Sequence, residues 1–373
     1  MAQPVHYHTG KFPPRQLDWD RLIPLIGPAS AALARYDGLL SAIRNANVLL
    51  SPLTTQEAVL SSRIEGTQAT MGEVLEYEAG GAPEAFDAKK IDDIHEVLNY
   101  RRAMREAVDK LQRLPLCQRV IKQIHSTLLD RVRGHDRARG RYKPVPNYIG
   151  TTGCSLEEAR FVPIAPEQVD EGMSRWEKYL HARAPDQLVQ LAIAHAEFEA
   201  LHPFLDGNGR LGRMLIPLFL YERKLLHAPV FYLSEYLEAN RQEYYDRLLM
   251  VSSKDDWTGW CQFFLGALAK QAEENQAKAR GILDLYEKKK EVAASTTHSQ
   301  YAMAALDFLF SQPVFSSSHF VSQSRIPAPT ARRILNLFYD KGLLKEVRKA
   351  SGRRPAIFAF RELLNIAEGR TVF

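Results

Sequence analysis

The sequence of 373 residues predicts a mainly α-helical protein with one β-hairpin in its middle and a winged-helix unit at its C-terminal end. Long stretches with apolar residues at helical spacing, a short β-type stretch at 141–162 and a helix-turn-helix pattern followed by two strands support this prediction. On this pattern the chain divides into a helical N-terminal region at 1–110, a second domain at 111–270, a helical linker at 271–296 and the winged-helix unit at 297–373.

In the N-terminal region, apolar periodicity predicts helices at 28–40, 54–65 and 89–111. The second of these begins with the capping-box pattern Thr54 to Glu57. Gly66 is a natural stop, because glycine readily takes the left-handed conformation that ends many helices.

The second domain is predicted to be helical at both ends. Between residues 141 and 162 the chain reads RYKPVPNYIGTTGCSLEEARFV, two β-type runs joined by a loop with Gly and Ser, which indicates a hairpin. Helices at 187–201 and 211–224 follow, and the charged, helix-favouring linker comes after them.

Positive charge is concentrated in the C-terminal unit. Residues 297–373 contain eleven Lys and Arg against five Asp and Glu, whereas the whole chain has a formal charge of +5. An acidic partner, DNA or a protein, is therefore expected here and not elsewhere. The predicted elements are helices at 301–310, 316–324 and 330–341 and two strands within 344–360, with Arg332 and Arg333 early in the last helix and Arg353 and Arg354 at the tip between the strands.

Composition excludes several classes of protein. Hydrophobic residues make up 45% and charged residues 25% of the chain, which is typical of folded domains. The apolar stretches fall far short of the roughly 20 residues that span a bilayer, so we expect a cytoplasmic protein with no membrane partner. The three cysteines, Cys117, Cys154 and Cys261, are too widely spaced for a disulfide framework or a paired zinc site.

The loop HPFLDGNGRLGR, residues 202–213, carries the residues best suited to chemistry. Gly207, Asn208 and Gly209 can aim successive backbone N–H groups into one concavity at a helix N-terminus, which makes an anion site. Arg210 and Arg213 lie three residues apart on one helix face and add donors for phosphate oxygens.

Two further residues of this loop have alternative interpretations. Asp206 is expected to hold a divalent metal, since Mg²⁺ commonly uses one or two carboxylates together with phosphate oxygens and water, but it could instead cap the helix. His202 could remove a proton at neutral pH, or it could be a structural histidine. Singly, none of these residues is specific.

The whole string resembles the signature of the Fic family, H-x-F-x-D/E-G-N-G-R-x-x-R, and meets every defined position. The resemblance extends over roughly residues 12–270. It implies a Fic-type helical catalytic core over 111–270 with the hairpin as a flap, preceded by a helical extension, and the C-terminal unit resembles a winged-helix addition of some members. A related kinase branch has Lys at the position of Gly209 and is disfavoured.

This resemblance implies a protein adenylyltransferase, which uses ATP and Mg²⁺ to transfer AMP to a Ser, Thr or Tyr hydroxyl of a target protein or of itself. His202 would be the base and Asp206 the metal ligand. Gly207, Asn208, Gly209, Arg210 and Arg213 would contact the phosphates. Tyr236 and Asn240 would lie at the adenosine end, and the flap around Tyr148 and Phe161 would bind an extended target segment as an added strand.

The segment from Ser61 to Gly66 resembles the family's inhibitory motif, S/T-x-x-x-E-G/N. In that motif the glutamate, here Glu65, pairs with the second signature arginine, here Arg213, and prevents productive seating of the γ-phosphate. Glu65 lies in the last turn of its predicted helix, where the helix dipole disfavours an anion by roughly 0.3 to 1 kcal/mol, which a nearby cation would offset. Alternatively, Glu65 is solvated and Gly66 only ends the helix.

Two other functions stay open. The winged-helix unit could make the protein a DNA-binding regulator whose Fic domain only senses nucleotide. The loop could also transfer a different nucleotide or a phosphoryl group, because its features recognise phosphates better than bases.

Overall fold

The computed structural model describes residues 3–43, 49–81, 86–134, 136–151 and 153–372. It is mainly helical, as predicted. The helices are α1 (Trp19–Ala42), α2 (Ser51–Ile64), α3 (Met71–Glu78), α4 (Ala88–Leu111), α5 (Gln118–Leu128), α6 (Val169–His181), α7 (Gln187–Leu201), α8 (Asn208–Glu222), α9 (Ser234–Ala239), α10 (Arg241–Lys254), α11 (Trp257–Thr297), α12 (Ala302–Ser311), α13 (Ser317–Gln323), α14 (Ala328–Asp340) and α15 (Arg361–Glu368). The strands are β1 (Val5–His6), β2 (Phe161–Val162), β3 (Val314–Ser316), β4 (Lys345–Arg348) and β5 (Ile357–Ala359).

Within the described ranges, no helix is both long and apolar enough to cross a membrane.

The chain folds into two compact units, and each unit is assembled from separate stretches of sequence. The first consists of Met1–Asp37, Leu60–Glu65 and Asn99–Glu273, and the second of Gly38–Val59, Gly66–Leu98 and Glu274–Phe373. This grouping differs from the four consecutive ranges expected from the sequence, because the helices of the N-terminal region divide their residues between the two units. The predicted linker is part of the continuous helix α11.

Helix α7 is the centre of the first unit. Thirteen of its 15 residues are buried, as expected for a helix that is apolar on most of its faces. Two tryptophan side chains donate hydrogen bonds from neighbouring helices to its carbonyl groups: Trp176 Nε1 to Ala194 at 2.7 Å and Trp260 Nε1 to Ala192 at 2.7 Å. Helix α7 therefore gives the loop that follows it a rigid starting point.

The N-terminal helices differ from the predictions in three places: α1 begins at Trp19 and not at residue 28, α2 begins at Ser51 and not at Thr54, and α3 was not predicted. Helix α2 begins at Ser51, so Thr54 lies within the helix and the capping box predicted at Thr54 is wrong. A capping box does occur at the start of α3, where Thr70 and Glu73 exchange hydrogen bonds. Gly66 has φ +98°, the left-handed conformation expected of a helix stop.

The predicted hairpin is reduced to a single bridge between Ile149 and Phe161. On its other side, β2 pairs in parallel with β1, with Val5 opposite Phe161. Strand β2 therefore has a neighbour on both edges, which the sequence of the segment could not indicate because β1 lies about 155 residues earlier.

The second unit contains the C-terminal elements, which lie within a few residues of their predicted positions. Strands β3, β5 and β4 form an antiparallel sheet in that order. Phe308, Phe315 and Phe320 pack with their rings edge to face or tilted in the core of this unit. Strand β3 and helix α15 were not predicted.

Candidate active site

The signature loop joins two buried helices. Helix α7 ends at His202, which has the left-handed conformation with φ 46° and ψ 59°, and α8 begins after Gly207 with φ 77° and ψ 4°. Phe204 is fully buried and stacks on the ring of His125 with centroids 3.8 Å apart. The loop therefore has a fixed backbone, anchored in the core through Phe204.

The side chain of Asn208 closes the loop on itself. Its Oδ1 accepts from the Phe204 N–H at 2.8 Å, and its Nδ2 donates to the Phe204 carbonyl at 2.8 Å. In this structure both polar atoms of the amide are engaged with the Phe204 backbone. What Asn208 can offer an anion is its backbone N–H at the start of α8, beside those of Gly207 and Gly209.

Asp206 lies beside the N-terminus of α8 but does not cap it, since the residue at the cap position is Gly207. Its Oδ1 accepts from the Gly207 N–H at 2.6 Å and lies 3.5 Å from Nη2 of the buried Arg210. A Cβ atom at Gly134 would lie 2.6 Å from Asp206 Oδ2, so the missing side chain at 134 makes room for the carboxylate.

Asp206 is the carboxylate of the signature loop. No group of three His, Cys, Asp or Glu that could hold a metal occurs in the part of the chain that the structure describes. A Mg²⁺ ion held by Asp206 would have to take its remaining ligands from phosphate oxygens and water, as this ion commonly does.

Arg213 is the most enclosed charge of the loop, with only 1% of its side chain exposed. Its Nη2 donates to Glu65 Oε1 at 2.7 Å and to the Ser61 carbonyl at 2.8 Å, and its Nε donates to Ser61 Oγ at 3.0 Å. The end of α2 thus supplies three hydrogen bonds to one arginine, and Glu65 is paired with Arg213 while 32% of its side chain stays exposed.

The Glu65 carboxylate also lies directly against the start of α8. A Cβ atom placed on Gly209 would come within 2.2 Å of Glu65 Oε1 and 3.0 Å of Arg213 Nη1. Only a residue without a side chain leaves room for Glu65 at this point. The carboxylate therefore occupies space next to the backbone groups that the sequence assigned to phosphate.

Opposite charges stabilise the ionised form of both partners. Burial alone would raise the pKa of Glu65, but Arg213, followed by Arg210 and His202, holds that pKa below its ordinary value. Burial would likewise lower the pKa of Arg213, and the nearby Glu65 carboxylate instead raises it. Both groups are therefore charged at neutral pH, and the contact is an ion pair.

His202 is neutral at physiological pH. Burial, followed by the positive charge of Lys143, lowers the pKa of His202 to about 4, while the Glu65 carboxylate opposes this change. A neutral imidazole can accept a proton, so the structure is compatible with a base at this position.

Sequence reasoning missed the residues that support the loop from the segment after α5. The Gly140 N–H donates to His125 Nδ1 at 2.9 Å, so Nε2 carries the ring proton and donates to the Asp206 carbonyl at 3.0 Å. Lys143 is buried beside the end of α7. The sequence holds no signal for these contacts, because His125 and Gly140 are 15 positions apart and His125 and Asp206 are 81 positions apart, outside any helical or strand period.

The remaining predicted residues lie outside the loop. Tyr236 is on α9, where its N–H donates to Gln271, and the Asn240 side chain donates to the Tyr236 carbonyl at 2.9 Å. Tyr148 is 46% exposed, whereas Phe161 is buried and its strand has neighbours on both edges. In this conformation the Phe161 backbone N–H and carbonyl pair with Ile149, and the β1 strand bonds to the neighbouring carbonyls of Arg160 and Val162.

Two family models match the chain. One, described as Fic/DOC family N-terminal, covers residues 23–109, and the other, described as Fic/DOC family, covers residues 115–220. Among curated proteins, the protein adenylyltransferase fic-1 of Caenorhabditis briggsae is 30% identical over 162 residues, which are 42% of this chain and 30% of that protein. The protein adenylyltransferase Fic of Drosophila grimshawi is 28% identical over 227 residues, 58% of this chain and 42% of that protein. The chain thus spans less than half the length of these relatives.

Two solved structures share the fold. A Fic family protein from Desulfovibrio desulfuricans superposes with a TM-score of 0.59 at 20% identity, covering 93% of this chain and 98% of that one. A Fic domain containing signaling protein from Bacteroides thetaiotaomicron gives 0.55 at 17% identity, covering 68% of this chain and 97% of that one. The two Fic/DOC family models match adjoining parts of the chain, and the second includes the signature loop. The chain therefore belongs to the Fic/DOC family.

Proposed function

We propose that the protein is an adenylyltransferase that moves AMP from ATP to a hydroxyl side chain of a target protein, and of itself, and that Glu65 inhibits it. The relatives named protein adenylyltransferase support the reaction class. The observation that carries the proposal is the 2.7 Å contact between Glu65 and the buried Arg213, within a loop whose remaining groups suit a phosphate chain.

The groups of the loop match the needs of the transfer. The target hydroxyl oxygen attacks the α-phosphorus, the bond from that phosphorus to the oxygen bridging to the β-phosphate breaks, and pyrophosphate leaves. His202, neutral at pH 7, takes the hydroxyl proton. The backbone N–H groups at the start of α8 and the two arginines stabilise negative charge on the phosphate oxygens.

Asp206 would hold Mg²⁺ with its carboxylate. When bound, the ion neutralises charge on the phosphates of ATP. The Asp206 side chain is 27% exposed, which leaves the carboxylate accessible to an ion. Its Oδ1 is held in place by the Gly207 N–H and by Arg210. His125 and Gly134 in turn define where Asp206 lies.

Inhibition would follow from competition for Arg213. While Glu65 accepts its hydrogen bond, this arginine is not available to the γ-phosphate, and ATP would bind with its α-phosphate misaligned for attack. Displacing Glu65 removes the charged acceptor of Arg213 Nη2 and leaves the Ser61 hydrogen bonds, so a γ-phosphate at the same place would restore a charge-assisted bond.

The target would bind along the exposed side of the flap. Val145, Tyr148, Ile149 and Leu156 all have large exposed fractions, between 36% and 52%, and lie within twelve residues of one another. The Ile149 N–H and carbonyl pair with Phe161. We therefore propose that an extended target segment adds along the opposite edge of the same strand, beginning at Tyr148.

We propose that residues 297–373 form a winged-helix unit that docks a partner. The alternative of a DNA-binding regulator has less support, because one of its predicted phosphate contacts, Arg333, uses Nη1 to donate a hydrogen bond to the Thr297 carbonyl at 3.1 Å. Arg332 and Arg353 are exposed and could contact an acidic protein surface.

His202→Ala should abolish AMP transfer and leave ATP binding nearly intact, because the base acts on the incoming hydroxyl and not on the nucleotide. The expected loss of kcat is about 100- to 10,000-fold. Transfer of radiolabelled AMP, with ATP affinity from calorimetry, measures both quantities. Near-wild-type turnover would exclude His202 as the base.

Asp206→Asn should lower activity and raise the Mg²⁺ concentration needed for half-maximal transfer, because it removes a charged ligand at similar volume. The measurement is a Mg²⁺ titration at saturating ATP. An unchanged Mg²⁺ requirement would assign Asp206 only to the stability of the loop.

Glu65→Gly should increase self-labelling and target labelling, since it frees Arg213 for the γ-phosphate. The double variant Glu65→Gly with Arg213→Ala should lose most of this gain. Mass spectrometry of the protein and its targets after incubation with ATP and Mg²⁺ identifies the added group.

The matched control for this variant is Glu171→Gly, which breaks the exposed pair of Glu171 with Arg175 and should leave labelling unchanged. A Glu65→Gly protein that folds but labels no faster than wild type would remove autoinhibition from the proposal. An added mass other than that of AMP would change the transferred group.

A further inference from the structure

The backbone on both sides of His202 is bound by one residue outside the signature loop. The Lys143 N–H donates to the Pro203 carbonyl at 2.9 Å, and Lys143 Nζ donates to the Leu201 carbonyl at 3.3 Å. Lys143 therefore contacts the residue before His202 with its side chain and the residue after His202 with its backbone.

A second residue of the same segment extends this contact. Lys143 Nζ donates to Asn147 Oδ1 at 2.7 Å, and Asn147 Nδ2 donates to the Phe204 carbonyl at 2.9 Å. The segment from Lys143 to Asn147 thus satisfies the carbonyl groups of Leu201, Pro203 and Phe204.

These contacts hold a conformation that His202 does not favour. The left-handed region is unfavourable for a residue other than glycine, so the surroundings must impose it on His202, which has φ 46°. A cation at the C-terminal end of a helix also interacts favourably with the carbonyl groups there. Lys143 meets both needs at the end of α7.

Lys143 is an isolated buried cation. It is only 3% exposed, and its hydrogen-bond acceptors are neutral amide oxygens. Burial lowers the pKa of Lys143 to about 7, so the amine is half protonated near neutral pH and becomes fully charged as the pH falls further. Of the charged groups facing the imidazole of His202, Lys143 disfavours its protonation and Glu65 favours it.

We propose that Lys143 is a positioning residue for the transfer reaction, fixing the backbone around His202 so that the neutral imidazole meets the incoming hydroxyl. This inference rests on the proposed function, because it gives His202 the role of base. Lys143 itself does not touch the reacting atoms.

The test compares Lys143→Met with Lys143→Arg, each in a Glu65→Gly background. Lys143→Met keeps the length of the side chain but removes the charge and the donors. We expect kcat to fall about 10- to 100-fold with little change in the KM for ATP, since the misplaced group is the base. Lys143→Arg retains a cation and donors and should recover part of the loss.

The pH profile separates positioning from a merely structural role. Activity falls on the acidic side as His202 becomes protonated. Removing the positive charge of Lys143 raises the pKa of His202, so the acidic limb of Lys143→Met should move to higher pH, and that of Lys143→Arg should not. Lys122→Met, which removes a lysine that stacks on Tyr142 instead, should leave kcat and the acidic limb unchanged.

An NMR titration of the His202 ring, assigned with His202→Asn, tests the inference without activity. If the Glu65→Gly protein transfers no AMP, the proposed function fails, and the titration still decides whether Lys143 controls the protonation of His202. The inference would be overturned by a folded Lys143→Met protein with the same acidic limb and the same titration as its parent. A lower melting temperature alone, with kcat and pH profile unchanged, would also overturn it.

Discussion

The organisation of the site depends on the burial of one guanidinium group. Arg213 projects from α8, which is buried along most of its length, and only 1% of its side chain is exposed. A buried charge without a partner costs several kcal/mol, so the fold must supply partners or the ligand must do so. The end of α2 supplies them through Ser61 and Glu65. A ligand that replaces Glu65 must offer Arg213 an equivalent negative charge.

The same constraint explains the glycine and the left-handed residues of the loop. Glu65 can reach Arg213 only because Gly209 has no side chain in its path. The loop between α7 and α8 is short, and it turns through the left-handed conformations of His202 and Gly207. His125 and Lys143 bind carbonyl groups of this loop and so hold His202 and Asp206 at fixed positions relative to Arg213.

Most of the helices could be predicted because they depend on local periodicity of apolar residues. The grouping of His202, Asp206 and Arg213 could be predicted because all three belong to one continuous sequence motif, residues 202–213. The position of Glu65 against Arg213 could be predicted only through a family resemblance, since 148 residues separate them. The roles of Lys143 and Asn147 could not be predicted, because their partners are backbone carbonyls, which every residue has. The pairing of β2 with β1 was missed for a similar reason: two-residue strands have no recognisable period.

The proposed inhibition and the proposed catalysis both involve the charge of Glu65. Glu65 both engages Arg213 and favours protonation of His202, so its removal would free a phosphate ligand and make the imidazole harder to protonate. Lys143 acts on His202 in the same direction as the loss of Glu65. The neutral state of His202 is thus controlled by two opposite charges from different segments of the first unit.

The most direct test of the central claim, that Glu65 and the γ-phosphate compete for Arg213, is the ratio of ATP to ADP affinity. Calorimetry would measure both ligands with Mg²⁺, with and without Glu65→Gly, in a His202→Ala background that prevents turnover. The account predicts similar affinities for ATP and ADP when Glu65 is present, and a preference for ATP of about 10-fold, or roughly 1.4 kcal/mol, when it is absent. An ATP to ADP ratio that does not change on removal of Glu65 would contradict the claim.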